Sequence, residues 1–208
     1  SSVIAAAGVS SSASFEMLVC AIANHFFNEG AMDCVDYARA GQYAENVYWE
    51  KASGMMDQLA CAVGGMILLD FQEKEKPVYR RMTYSARKAG YGVVIVNTGK
   101  GHADLGQEYS RIPLEMREAA YALGAERLCE AGLDDLLAAW GRIPSDRAFL
   151  RAMHFFREND RVKEAQKAME EGRTDRLLRL LNESGHSSWE WLQNCYCPED
   201  CKGQKVAL

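Results

Sequence analysis

The chain has 208 residues, 48% of them hydrophobic and 25% charged, which is enough for one large or two small domains with real cores. A net charge of -5 with no dense Lys/Arg cluster argues against a nucleic-acid partner, and no apolar run is long enough to span a membrane. Seven cysteines scattered through helical patterns, with no visible signal peptide, point to a reducing, cytoplasmic setting rather than a disulfide framework.

In chain order, Ser1-Ser2-Val3-Ile4 reads as the end of a buried strand, and both chain ends suggest a piece of something longer. Next, Ala7-Gly8-Val9-Ser10-Ser11-Ser12-Ala13-Ser14 precedes Phe15, Leu18, Val19, Ile22, Ala23 and Phe26, which recur at helical spacing until Gly30. The serines therefore fall on a first helical turn. Free backbone N–H groups and the positive end of the helix dipole lie there. Gly8 lets the backbone approach a ligand, and the hydroxyls add donors or a metal ligand, so the stretch reads as an anion site suited to phosphate. The alternative is that Ser10 or Ser11 merely caps a core helix. No lysine follows, so this is not the G-x-x-x-x-G-K-[ST] loop.

Asp33 to Trp49 predicts a second helix, with Ala38, Ala44 and Val47 on its apolar side. Glu45 on that helix is a candidate Mg²⁺ ligand if a serine hydroxyl and phosphate oxygens lie nearby; otherwise it belongs to a solvated face. Ala52-Ser53-Gly54-Met55-Met56-Asp57-Gln58 is a loop opening a third helix through Cys61, ended by Gly64-Gly65. Asp57 in its first turn either complements the dipole or serves as a base or orienting group near a phosphate-transfer site. Strands are predicted over Met66–Leu69, Val78–Tyr84 and, as a clearly buried one, Gly92–Val96. The composition shift at about residues 70 to 77 marks a domain boundary, giving domains 1–70 and 71–208. Asn97-Thr98-Gly99 through Tyr109 follows a buried strand, a common place for ligands and equally a plain turn.

From Leu105 onward the pattern is helical. Pro113 starts a helix that Gly124 ends, and Gly132 precedes a short one through Trp140. Ser145 caps a long helix stopping at Gly172, and Thr174 caps one carrying Leu177, Leu178, Leu180 and Leu181. Ser187 to Tyr196 is the last. Cys195, Cys197 and Cys201 with His186 have a C-x-C-x₃-C spacing unlike the usual zinc pairs. His25, His102 and His154 are assigned to core or surface, and the pairs Tyr48, Trp49 and Phe26, Phe27 to core.

These pieces fall in one order. Gly8-Val9-Ser10-Ser11-Ser12-Ala13-Ser14 resembles the phosphate-binding motif of galactokinases, in the GHMP superfamily of small-molecule kinases. Gln42-Tyr43-Ala44-Glu45-Asn46 and Gly54-Met55-Met56-Asp57-Gln58 resemble the segment with the family's catalytic aspartate. Leu69-Asp70, Val94–Gly99 and His102–Tyr109 resemble its strand and sugar-contacting loop, and Asn182–His186 with Cys197–Asp200 its late helical region. The resemblance implies an α+β chain: part of an N-terminal α/β kinase domain, then a helix-rich C-terminal domain with a small sheet. It implies Gly8, Ser10 and Ser11 on the ATP triphosphate, Ser12 and Glu45 on Mg²⁺, Asp57 as catalytic base or orienting group, and Gly54, Asp57 and Tyr109 against the sugar. The intact parent is then expected to phosphorylate galactose at its anomeric hydroxyl. Exposed strand edges lead to the expectation of a monomer or weak homodimer.

The departures bear on the sugar. Ala5-Ala6-Ala7 replaces a proline and a further glycine, Ser110-Arg111 stands where the family tends to carry an arginine pair, and Tyr48-Trp49-Glu50 replaces a smaller segment. Another sugar, such as N-acetylgalactosamine, and a catalytically silent sugar sensor are the alternatives. The family's first, sugar-gripping motif would lie upstream of Ser1 and its glycine-rich third motif beyond Leu208. The 208 residues alone are therefore expected to be an inactive fragment.

Overall fold

The computed structural model describes residues 3–4, 8–50, 53–73, 76–96 and 106–195. The chain divides into two compact units, Ser1–Gly101 and His102–Leu208. Asp70 and Val78, at either side of the composition shift, pair with each other in a β-hairpin of the first unit.

The first unit is built on three helices: α1 (Ser11–Phe27), α2 (Cys34–Tyr43) and α3 (Met56–Val63). Asp33 starts α2 with a capping box: its carboxylate accepts from the Val35 and Asp36 N–H groups at 2.7 and 2.9 Å, and Asp36 accepts from the Asp33 N–H at 3.0 Å. A π-helical turn (Ala44–Tyr48) continues α2, in place of the single helix expected through Trp49. The buried face of the pair runs Ala38, Gly41, Glu45, while Val47 is exposed. Ala38, Met55 and Leu59 form the core of this unit, with Val35 and Leu69 against it.

Gly41 faces side chains of both α1 and α3. A Cβ there would stand 2.8 Å from Glu16 Oε2, 2.9 Å from Met17 Cε and 3.1 Å from Gln58 Cγ. Alanine in mid-helix is worth about 1 kcal/mol over glycine, but overpacking costs about 1–3 kcal/mol. Gly41→Ala is therefore expected to lower the urea unfolding midpoint at unchanged m-value.

β1 (Ile67–Asp70) and β2 (Val78–Arg81) pair antiparallel in a two-stranded sheet, from Ile67 opposite Arg81 to Asp70 opposite Val78. Arg81 Nη2 ties the hairpin to the end of α3 through the Val63 carbonyl at 2.7 Å. The third expected strand does not form. Residues 92–96 are irregular, and Val93, Val94 and Val96 are 83%, 81% and 77% exposed. A fully buried strand needs paired neighbours and a covered face on each side, and the described sheet is a hairpin that supplies neither.

The apolar stripe of α1 is also not core. Phe15, Leu18, Val19, Ile22, Phe26 and Phe27 are exposed, and α1 is buried through Ala13, Met17 and Asn24. Small side chains and a glycine let helix backbones approach, so α2 and α3 seat on the narrow face of α1. Asn24 is satisfied there, donating to Tyr37 Oη at 2.8 Å and accepting from the Met32 N–H at 3.1 Å. The broad stripe needs a wider surface than this hairpin offers. Tyr48 and Trp49, expected in the core, are exposed for the same reason.

The second unit is helical: α4 (Gly106–Ala122), α5 (Leu133–Ala138), α6 (Asp146–Glu170) and α7 (Thr174–Ser187). Pro113 lies inside α4 rather than at its start. It has no N–H for the Tyr109 carbonyl, a loss the helix accepts. Ala119, Ala120, Leu128, Leu136, Phe149 and Ala152 make the core. Ser145 caps α6 as expected, accepting from the Ala148 N–H at 3.1 Å, whereas the cap position of α7 is Arg173 and Thr174 is its first helical residue. The expected last helix is a π-helical turn over Ser188–Leu192.

His154 is buried between α6 and α7, hydrogen-bonded to Ser187 Oγ at 2.9 Å. Burial lowers its pKa, and the Glu158 charge and the Ser187 bond do not offset this. The folded state thus prefers the neutral imidazole. Its contribution to stability is full above the unfolded pKa of about 6.5 and declines as pH falls below it. His154→Gln is expected to flatten the fall of the urea midpoint between about pH 6.5 and 5.

Candidate functional site

Ser10 stands at the N-cap of α1 with φ 54° and ψ 46°, in the left-handed region. A non-glycine residue there is strained by about 1 kcal/mol or more. Its side chain makes no capping hydrogen bond, so this hydroxyl is not the helix cap that the alternative reading offers. Gly8 also has a positive φ, 71°, and among the described residues nothing lies within 4 Å of where a Cβ would sit. The glycine is needed for its backbone conformation. No acidic side chain occupies the first turn of α1. The dipole and N–H groups at that end therefore meet no carboxylate from their own turn. Ser11 is half-buried and Ser12 is exposed at the opening of the helix.

The π-helical turn brings Glu45 to this end. Glu45 is only 5% exposed, and Ser12 Oγ donates to its Oε1 at 3.4 Å, a long bond. π-helical turns are rare and often sit at functional sites. A carboxylate and a hydroxyl are hard oxygen donors, and Mg²⁺ typically takes one or two such protein ligands beside waters and phosphate oxygens. The two side chains therefore fit a Mg²⁺ site. Among the described residues no group of three or more His, Cys, Asp or Glu could cage a metal.

Behind Glu45 lies Gln58, 2% exposed. Its Nε2 donates to Glu45 Oε2 at 3.3 Å and to Glu16 Oε2 at 3.2 Å. Asp57, one residue earlier, is exposed in the first turn of α3. The loop before it is pinned: Asn46 Oδ1 accepts from the Ser53 N–H and Oγ at 3.0 and 3.1 Å, and Gln42 Nε2 donates to the Ser53 carbonyl at 3.1 Å. Gly54 is exposed, and no described residue lies within 4 Å of where a Cβ would sit.

The structure thus joins Ser12, Glu45 and the start of α3 in one place. Tyr109 lies on α4 in the second unit, 43% exposed, and is described there by itself. Ala5–Ala7, Asn97–Gly99, His102, Cys197 and Cys201, on which expectations were placed, lie outside the described residues. Sequence reasoning missed Glu16 and the role of Gln58. Glu16 follows Ser12 by four residues, on the same face of α1, and that spacing was the available signal.

The thiols nearby are not activated. Burial raises the Cys61 pKa, and the Asp57 and Glu16 carboxylates raise it further; burial and then Glu16 do the same to Cys20. Among the described residues no helix is long and apolar enough to cross a membrane.

Residues 1–65 match the GHMP kinases N terminal domain. The galactokinase of Clostridium tetani is 34% identical over 188 residues, covering 86% of this chain and 46% of that protein. That of Streptomyces lividans is 30% identical over 203 residues, covering 96% of this chain and 50% of its own length. The crystal structure of Lactococcus lactis galactokinase complexed with galactose superposes with a TM-score of 0.72 at 26% identity, over 92% of this chain and 50% of that one. The chain spans about half the length of the curated relatives it matches. The chain thus matches a GHMP kinase N-terminal domain at its start and is similar to galactokinases along nearly its whole length.

Proposed function

We propose that this chain forms part of a sugar kinase that transfers the γ-phosphoryl group of ATP to the anomeric hydroxyl of galactose. The observation that carries this reading is the pairing of Ser12 with Glu45 at the N-terminus of α1, beside a strained serine that caps nothing. Gly8, Ser10 and Ser11 present N–H groups and hydroxyls to the triphosphate, and the helix dipole favours its charge. Ser12 and Glu45 hold Mg²⁺, which supplies neutralisation of the phosphate oxygens. Asp57 receives or orients the proton of the sugar hydroxyl as its oxygen attacks phosphorus. Gly54 and Tyr109 contact the sugar.

A domain division near residue 70 and a setting in the cytoplasm belong to the same proposal. The test is ATP-dependent phosphorylation of a panel of sugars by the full-length protein. Turnover of galactose supports the reading. Turnover of N-acetylgalactosamine alone keeps the chemistry and changes the substrate. Binding of ATP and sugar without turnover of any sugar replaces the kinase by a sensor.

A further inference from the structure

Three elements meet at one amide. Glu16 comes from α1, Glu45 from the π-helical turn and Gln58 from α3, and the single Nε2 of Gln58 serves both carboxylates. Gly41 closes the fourth side, its Cα too near Glu16 and Gln58 to carry a side chain without displacement. The amide's orientation is set by this chemistry: turned over, it would aim its carbonyl oxygen at two carboxylates. The orientation has a cost, since Gln58 Oε1 is buried with no hydrogen-bond partner among the described residues. A leucine would fill the same volume without orphaning an oxygen. What the amide adds is its pair of donated bonds.

We propose that Gln58 is a positioning residue for the cation site, holding the Glu45 carboxylate so that its other oxygen faces Ser12, with Glu16 as the anchor that fixes the Gln58 rotamer. This rests on reading Ser12 and Glu45 as cation ligands. With Oε2 of Glu45 held by Gln58, Oε1 is the oxygen directed at the Ser12 hydroxyl. The partners behind a metal's own ligands typically govern its affinity by 10–100-fold. Such residues act through another group, so Gln58 and Glu16 touch neither metal nor substrate.

Water-proton relaxation with Mn²⁺ as the probe measures cation binding by the 208-residue chain without turnover. The wild-type chain is expected to bind Mn²⁺ and Glu45→Gln to lose it. Gln58→Met is expected to weaken binding by about 10–100-fold at unchanged far-UV circular dichroism. Glu16→Ala is expected to weaken it as well. Glu16→Gln keeps a carbonyl oxygen for the Gln58 amide and should restore most of the affinity. If Gln58→Met does not fold, the Glu16 pair carries the test. Wild-type affinity in Gln58→Met and Glu16→Ala overturns the positioning role and leaves the site reading intact. Equal weakening by Glu16→Ala and Glu16→Gln overturns it too, because charge alone then explains the effect. No Mn²⁺ binding by the wild-type chain overturns both the site reading and the positioning role.

Discussion

Asp57→Ala in the full-length protein is expected to lower kcat for sugar phosphorylation by about 10²–10⁴-fold, the usual worth of a positioned proton acceptor. Its effect on stability should stay within about 0.5 kcal/mol, because the side chain is exposed at the start of α3. The pairing of these two outcomes is the point. A carboxylate that only complements the helix dipole would cost a few tenths of a kcal/mol in stability and nothing in turnover. Asp57→Asn keeps the shape and removes the charge, and a loss as large as that of alanine assigns the effect to the charge. Steady-state kinetics on galactose, beside urea unfolding of each variant, reads both quantities. More than a tenth of wild-type kcat in Asp57→Ala would remove Asp57 from the chemistry.

The second large effect is on folding, in the helical unit. Glu115 on α4 bonds two arginines of α6: Arg147 Nη2 at 2.5 Å and Arg151 Nη1 at 2.9 Å. The Arg151 side chain is 5% exposed, and its Nε also holds the Leu192 carbonyl at 3.0 Å. Glu115→Ala leaves that guanidinium buried and without its counter-charge, and is expected to cost about 3–5 kcal/mol. Arg147, at 39% side-chain exposure, is screened by solvent, and Arg147→Ala should cost no more than about 1 kcal/mol.

The pH dependence follows from the same cluster. Burial raises the Glu115 pKa, but the bond to Arg147 and the charges of Arg151, Arg147 and Arg111 outweigh it and hold the carboxyl below its usual range. A carboxyl lowered in the folded state contributes stability above its unfolded pKa and loses it as pH falls through the folded one. The loss therefore comes in acid, below about pH 4.5, well under the window in which His154 acts. Unfolding midpoints in urea across both windows, for the wild type and Glu115→Gln, separate the two groups.

Local chemistry was legible where one residue decides it. Asp33 and Ser145 cap their helices as their types require, and the serines after Gly8 do open α1. What periodicity missed was which partner each apolar face would meet. The stripe Phe15, Leu18, Val19, Ile22 and Phe26 is a regular helical pattern, yet α1 is buried through Ala13 and Met17 instead. The run Val93–Val96 has the composition of a buried strand and finds no ladder among the described strands. Period reports amphipathicity; the choice of face depends on the surfaces offered by the rest of the fold. At the site, the sequence singled out Ser12 and Glu45, which lie within hydrogen-bond reach of each other, but not the buried amide behind them. A glutamine at the core of three helices breaks the rule that interiors are apolar, and such breaks gather at functional places.

On the proposed phosphate role, Ser10 sets stability against use. Glycine would occupy the same left-handed conformation without strain, and relief of such strain is worth about 1 kcal/mol. A laboratory population selected only for heat resistance should drift toward Ser10→Gly, discarding a hydroxyl that does nothing for the fold. A population selected for turnover should keep the serine and tolerate the deficit. Position 10 therefore serves as a dial: which residue settles there reports which pressure the lineage has felt, and a designer wanting a sturdier protein should spend substitutions elsewhere first.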